Sequence, residues 1–398
     1  MMTDKMPADI KITDAHVHYF PQMPAVSVSG NQTCPNPDFL ADFLTRTGTD
    51  SAVIQAIAHT QCVSLIPGAL GMKTRCPNRF FVFGAPDATL YSHPNTTHTS
   101  DNFTDRRWSS ATPAPSIGTL QRDFLRLTLE AGCDGIKLLE GKPQMRKTYP
   151  IPDFDSPDWE PFWSWIEEEQ LPVMIHVNDP EIFWTPDASD WVKHQGWHYD
   201  ETFVNNEAQY TQILNVLSRH PELKICFAHF FFMSAQLERL DGIMSRFPNV
   251  MVDLTPGIEM YENFSKDIVK TKQFFEKYHD RIVYGTDIGG RCILTNEGEP
   301  FNEKENLRRP EIVRRFLTSA ADLLIEPDGN FIHDRAPFTM HCLDLPRNRL
   351  EEILNLNIRR FIGSEPKPVN PAKLSELRNY IERRPALSRA LFNESALK

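Results

Sequence analysis

The sequence contains no run of about 18 apolar residues, so no segment is expected to span a membrane. Met1 to Ile10 holds no apolar stretch, and no secretory leader is expected there. Lys and Arg form no basic run and the formal charge is −11, which argues against a nucleic-acid partner. A mildly acidic surface of this kind serves solubility. The seven cysteines (34, 62, 76, 133, 226, 292 and 342) include no Cys-x-x-Cys pair and are odd in number. They are expected to be reduced thiols of a cytoplasmic protein, with no disulfide framework. No Gly-x-Gly-x-x-Gly follows the first strand-like run, which counts against a dinucleotide-binding fold.

What is present is the composition of an ordinary globular protein, 40% hydrophobic and 24% charged over 398 residues. The 31 prolines exceed the average share of ~5% and suggest long, ordered loops. Eight apolar runs bounded by turn residues read as strands: 10–18, 52–58, 80–86, 135–139, 173–178, 224–231, 250–254 and 282–287. Most are apolar on both faces, as a parallel sheet covered by helices requires. Helical spacing appears between them, in Leu120, Phe124 and Leu127; Trp159, Phe162, Trp163 and Ile166; Tyr210, Ile213, Leu214 and Leu217; and Leu237, Leu240, Met244 and Phe247. Strict strand–helix alternation repeated eight times predicts a (β/α)8 TIM barrel, distorted by long βα loops and followed by a C-terminal helical segment. The expected organisation is one domain over 1–398, with a barrel core at about 10–363 and an extension at 364–398.

The long excursions fall after strands three, five and eight, at 88–117, 179–205, 288–309 and 327–346, and each is expected to rise over the C-terminal face. A late helix carrying Leu350, Ile353, Leu354, Ile358 and Phe361 on one face is expected to pack back onto the barrel. Residues 372–386 read as one more helix, a candidate subunit contact.

Four strand ends carry metal-binding residue types. His16 and His18 alternate by two and share a side of the first strand. Asp14, two positions earlier, is expected to face the same way. His176 ends the fifth strand, His229 the sixth, and Asp287 the eighth. A lone core histidine is ordinarily a hydrogen-bonded structural residue, and a buried carboxylate is costly unless paired or ligating a cation. Five such exceptions at one end of one barrel point to a common site. Imidazole suits zinc and other borderline divalent ions, a carboxylate adds charge compensation, and three or four protein ligands leave a position open. On the surrounding loops, Arg291 could take a substrate carboxylate bidentately. His198, Trp184, Glu259, His59 and His341 with Asp334 and Arg335 are weaker candidates for the pocket wall.

The motifs Asp-Ala-His-Val-His, Gly-Ile-Lys-Leu, Ile-His, Ala-His and Tyr-Gly-Thr-Asp, in that order, resemble the amidohydrolase superfamily. Within it they are most similar to the amidohydrolase-2 group, which includes aminocarboxymuconate-semialdehyde decarboxylase, aromatic acid decarboxylases, lactonases and hydratases. The stretch Glu-Glu-Ile-Leu-Asn-Leu-Asn-Ile-Arg-Arg-Phe-Ile-Gly is similar to the closing helix of that group. The resemblance implies His16, His18, His176 and Asp287 as ligands of one divalent ion, zinc foremost, with Mn, Fe or Co as alternatives. It implies His229 as the acid/base or electrophilic residue and Asp287 as the acceptor of a proton from metal-bound water. Lys137 stands where two-metal relatives carry a bridging lysine. Here it reads as a substrate-binding cation, or as a partner of Glu140 or Asp134. Leu139-Glu140-Gly141 departs from the group, in which His-Pro is frequent.

The expected activity is that of a metal-dependent hydrolase in which metal-bound water attacks a carbonyl of a small, polar, carboxylated substrate. A non-oxidative decarboxylase of an aromatic or muconate-like acid on the same site is the alternative, and an inactive ligand-binding barrel the second. A small molecule is the expected partner, and the resemblance implies a homodimer as the common assembly.

Overall fold

The computed structural model describes residues 9–19, 25–28, 32–35, 38–57, 65–92, 115–257, 259–294, 301–327 and 336–383. Eight parallel strands form one sheet in chain order: β1 (Thr13–Val17), β2 (Ser51–Gln55), β3 (Phe80–Gly84), β4 (Gly135–Gly141), β5 (Val173–Val177), β6 (Ile225–Phe227), β7 (Val250–Asp253) and β8 (Ile282–Val283). Each of the eight runs expected from the sequence contains one of these strands. The chain leaving β8 closes the circle against β1. Ala15 N donates to Tyr284 O (2.8 Å), Asp287 N to His16 O (2.7 Å) and His18 N to Ile288 O (2.8 Å), beside a parallel bridge between Val17 and Ile288. The result is the expected barrel.

Helices cover the outer face between consecutive strands, for example Phe39–Arg46, Ile117–Ala131, Glu160–Glu168, Asn206–Arg219 and Leu237–Arg246. Their apolar stripes and the outward strand residues make the main core, in which Ile136, Leu138, Ile175, Phe227 and Val252 are buried. The inward residues make a second core of Ala15, Val53, Phe81, Phe83, Met174, Cys226, Met251 and Val283. Ile358 and Phe361 complete it from below. They belong to the helical stretch from Arg347 to Ile362, whose middle, Glu352–Leu356, is a π-turn. There Ile353 O accepts from Tyr284 N (2.9 Å), and Asn357 Nδ2 donates to the carbonyls of His279 and Ile282 (2.7 Å each). This helix stoppers the N-terminal end, so chemistry is left to the other end.

The C-terminal helix, Pro371–Arg383, lies on Ile117–Ala131 of its own chain, where the rings of Tyr380 and Phe124 are 5.1 Å apart. Its buried residues are Leu374 and Leu377.

Two expectations about the strands need correction. The run 224–231 is a strand only to Phe227. From His229 to Phe232 the backbone is left-handed (φ 52–58°), so the extended conformation ends before His229. In β1 the register slips between Asp14 and Val17, and the simple alternation that put Asp14 beside His16 and His18 fails. Asp14 instead bonds within the wall: its Oδ1 accepts from His16 N (3.0 Å) and Thr286 N (3.2 Å), and its Oδ2 from Thr286 Oγ1 (2.6 Å). Burial pushes that carboxyl up to about 7.

A candidate metal centre at the C-terminal face

Inside the barrel the inward side chains change character within one step of the pleat. Val53 is followed two residues on by Gln55, Met174 by His176 and Met251 by Asp253. A polar layer thus sits directly on an apolar one, at the strand ends where loops can reach it.

Within that layer His16, His18 and Asp287 converge: one potential ligand atom from each lies within 4.8 Å of the others. Asp287 Oδ1 is 3.0 Å from His18 Nε2 and 3.9 Å from His16 Nε2. The tautomers follow from the other ring nitrogens. His16 Nδ1 donates to Asp253 Oδ2 (2.7 Å), and His18 Nδ1 donates to the carbonyl of Gln55 (2.8 Å). Asp253 acts as acceptor because its Oδ1 already receives the N–H groups of His229 (2.6 Å) and Thr255 (3.1 Å). Both imidazoles therefore turn Nε2 toward one carboxylate oxygen. At 3.0 Å, a proton or a metal cation must lie between His18 Nε2 and Asp287 Oδ1. Two imidazoles oriented by a carboxylate and a carbonyl, plus one carboxylate, make a donor set that fits a divalent metal ion.

Asp287 is held there by its backbone. It is left-handed (φ 60°), and a Cβ on Gly290 would lie 2.4 Å from its Oδ1, so the loop can fold over the carboxylate only with glycine at that position. Burial works to raise its carboxyl, but the bonds and charges of His18 and Arg309 win and hold it well below the usual carboxylate range. Burial likewise depresses His16, His176 and His229, the last to about 3, so these imidazoles are neutral.

The other expected site residues fall into place as follows. His229 stands beside the cluster, its ring 5.5 Å from that of His16 and 5.1 Å from that of His176, with Nδ1 3.3 Å from Thr255 O. His176 is adjacent to the three-residue cluster and not part of it. Its Nε2 faces Asp179 Oδ1 at 3.3 Å, and Asp179 is itself held by Lys142 (2.7 and 2.9 Å) and Tyr199 (2.5 Å). Lys137 is buried beneath the site, its Nζ 3.3 Å from His16 Nε2, and burial brings it down to about 8. The expected pairing with Glu140 or Asp134 does not occur: Glu140 accepts from Tyr91 (2.8 Å) and Asp134 from Lys73 (2.6 Å). Arg291 is on the pocket wall, stacked over Trp191 at 4.9 Å and bonded to Glu305 (3.1 Å).

The pocket above this layer is lined by Phe183, Trp191 and Trp197 from the β5 loop, Phe232, Pro256 and Gly257, with Lys142, Arg291 and Arg309 among its polar groups. The β5 loop thus does rise over the face, on an aromatic cluster of its own. His198 bonds the Thr185 carbonyl (3.2 Å) and Trp184 packs on Tyr199 at 4.7 Å, both without lining the pocket. Glu259 lies just beyond the pocket residue Gly257. His341 pairs with Asp322 (2.9 Å) on a surface hairpin, so it does not close the site. His59, Asp334, Arg335 and most of the loop after β3 lie outside the described residues.

Reading the sequence missed Asp253, Arg309 and Glu305. Asp253 had a visible signal, a carboxylate ending an apolar strand just as Asp287 follows one. Arg309 and Glu305 sit on a charged helix, Glu303–Thr318, where nothing local distinguishes them from solvated residues.

A family model described as amidohydrolase matches residues 95–363, more than half of the chain, and begins after β1 with its two histidines. Solved structures similar to this one include an uncharacterized TIM-barrel protein from Bordetella bronchiseptica (12% identity, 92% of this chain and 99% of that one, TM-score 0.49). A 2,6-dihydroxybenzoate decarboxylase from Rhizobium is similar at 13% identity, over 88% of this chain and 98% of that one, with a TM-score of 0.45. A 4-oxalomesaconate hydratase from Rhodopseudomonas palustris is similar at 14% identity, over 88% and 95%, with a TM-score of 0.46. No curated protein sequence matches the chain.

Proposed function

The chain belongs to the amidohydrolase family, and from that premise we propose that it is a hydrolase of a small, polar, carboxylated molecule, using one divalent ion held by His16, His18 and Asp287. The observation that carries this reading is the convergence of two oriented Nε2 atoms on Asp287 Oδ1 at the C-terminal face of the barrel. His176, next to that cluster, is the proposed fourth ligand or a wall residue. Zinc is the proposed ion because the set is imidazole-rich, with Mn, Fe or Co as the alternatives. Such an ion supplies Lewis acidity, polarising a carbonyl and acidifying a water.

The protein's own groups divide the remaining work. His229 borders the pocket, where it is placed to pass a proton between the attacking water and the leaving group. Asp287 is less suited to the role of base, because its Oδ2 is engaged by Arg309 (3.2 Å) and its Oδ1 faces the imidazoles. Arg291 is placed to orient a substrate carboxylate, and Phe183, Trp191, Trp197 and Phe232 exclude water. Among the described residues no helix is long and apolar enough to cross a membrane. Cys76, Cys133, Cys226 and Cys342 are free thiols, which supports the proposed cytoplasmic location.

The aromatic walls favour a second reading, decarboxylation of a ring-bearing acid on the same site. A panel of lactones, amides and hydroxylated aromatic acids separates the two, with hydrolysis products expected. CO2 release without hydrolysis would replace the first reading by the second. His229→Asn is expected to keep stoichiometric metal and lose about 10²–10⁴-fold in kcat. Full turnover by that variant removes His229 from the mechanism.

A further inference from the structure

The carboxylate of Asp287 has two oxygens in different surroundings, and the second has a partner that the reaction above leaves without a task. Oδ1 faces the histidines, while Oδ2 accepts from Arg309 Nη1 (3.2 Å). The same Nη1 donates to the Thr286 carbonyl (3.3 Å). Arg309 Nε and Nη2 both donate to Glu305 Oε1, at 3.1 and 2.7 Å, one helical turn earlier. Glu305 Oε2 in turn accepts from Arg291 (3.1 Å) on the pocket wall. The chain Asp287, Arg309, Glu305, Arg291 alternates in charge, and Glu305 and Arg309 are only 2% and 4% exposed.

A guanidinium this near a metal-binding carboxylate would by charge alone weaken its hold on a cation. Glu305 offsets that charge, and what remains is direction. The backbone of Asp287 is fixed by its left-handed turn and its bond to His16 O, but the carboxylate can still rotate. Arg309 removes that freedom by taking Oδ2, which leaves Oδ1 aimed at the two Nε2 atoms. Because Arg309 is itself bonded to Glu305 and to Thr286 O, it is placed as a brace and not as a mobile substrate anchor.

We propose that Arg309, tethered by Glu305, is a positioning residue that orients Asp287 for metal binding. This rests on the reading that His16, His18 and Asp287 hold the ion. The test uses the full-length protein, stripped of metal and titrated with Zn²⁺ against a chromophoric chelator, and with Co²⁺ for its visible bands. Arg309→Met is expected to weaken Zn²⁺ binding by about 10–100-fold and to shift the Co²⁺ bands. Arg309→Lys should recover part of the affinity, since an ammonium can reach one carboxylate oxygen without the fork. Unchanged affinity and bands in Arg309→Met overturn the proposal. Tighter binding also overturns it, because Arg309 would then act only as a repelling charge. Should Arg309→Met fail to fold, Glu305→Gln carries the test: weaker Zn²⁺ binding is expected, and wild-type affinity overturns the proposal. His18→Ala separates the two levels. Its loss of Zn²⁺ upholds the underlying site whatever Arg309 does, and wild-type affinity in His18→Ala removes the site itself.

Discussion

The carboxylate of Asp253 accepts from His16 Nδ1 on one oxygen and from the backbone N–H groups of His229 and Thr255 on the other. One side chain thus sets the tautomer of a proposed ligand and the position of the proposed proton carrier. Asp253→Asn is close in size, but it presents an N–H where an acceptor is needed. It is expected to weaken metal binding by about 10–100-fold, read by chelator competition. Wild-type affinity would show that the tautomer of His16 is set elsewhere. Lys137 stands on the opposite side of the same ring, donating to His16 Nε2. A metal ion taking that nitrogen displaces this bond.

The turn after β6 shows the cost of building the site. Four consecutive non-glycine residues, His229 to Phe232, are left-handed, a conformation costing roughly 1–2 kcal/mol per residue. The rings offset it. Phe230 packs on Phe264 (4.8 Å), Phe231 stacks on Phe227 (3.8 Å) and meets Tyr210 (5.1 Å), and Phe232 lies against the rings of His229 and His176 (5.1 Å each). The apolar run therefore serves as anchorage for a strained turn where the sequence suggested more strand. Phe230→Ala is expected to cost about 3–5 kcal/mol in urea unfolding. Phe230→Gly should cost about 1 kcal/mol less, because glycine relieves the positive φ. If the alanine variant proves the more stable of the two, strain at this turn is not what the rings offset.

For the molecule as a whole, the proposed ligands lie at the two ends of the sheet. His16 and His18 come from β1 and Asp287 from the chain beyond β8, so an ion held by them would staple the seam where the barrel closes. That seam is thin: β8 spans two residues, and closure depends on a few backbone bonds. Removing the ion with a chelator is expected to lower Tm by several degrees, since a ligand at ~1,000 times its Kd stabilises by about 4 kcal/mol. Amide exchange should rise first along Thr13–Val17 and Tyr284–Ile288. Uniform exchange, or an unchanged Tm, would show that the seam holds without the ion.

The order of apolar runs, and the polar residue closing several of them, determined the barrel and the neighbourhood of its site. Periodicity is local, and a charged or imidazole side chain at the end of a buried strand is too costly to stand there without a partner. His16, His18 and Asp287 were legible for that reason. Only the tertiary structure decided which partners those groups take. A register slip in β1 sends Asp14 into the wall, His176 turns its Nε2 to Asp179, and Lys137 meets His16 in place of Glu140 or Asp134. Arg309 reaches Asp287, held by Glu305, from a helix whose sequence reads as ordinary charged surface. These contacts depend on orientations set between residues distant along the chain, and no local pattern encodes them.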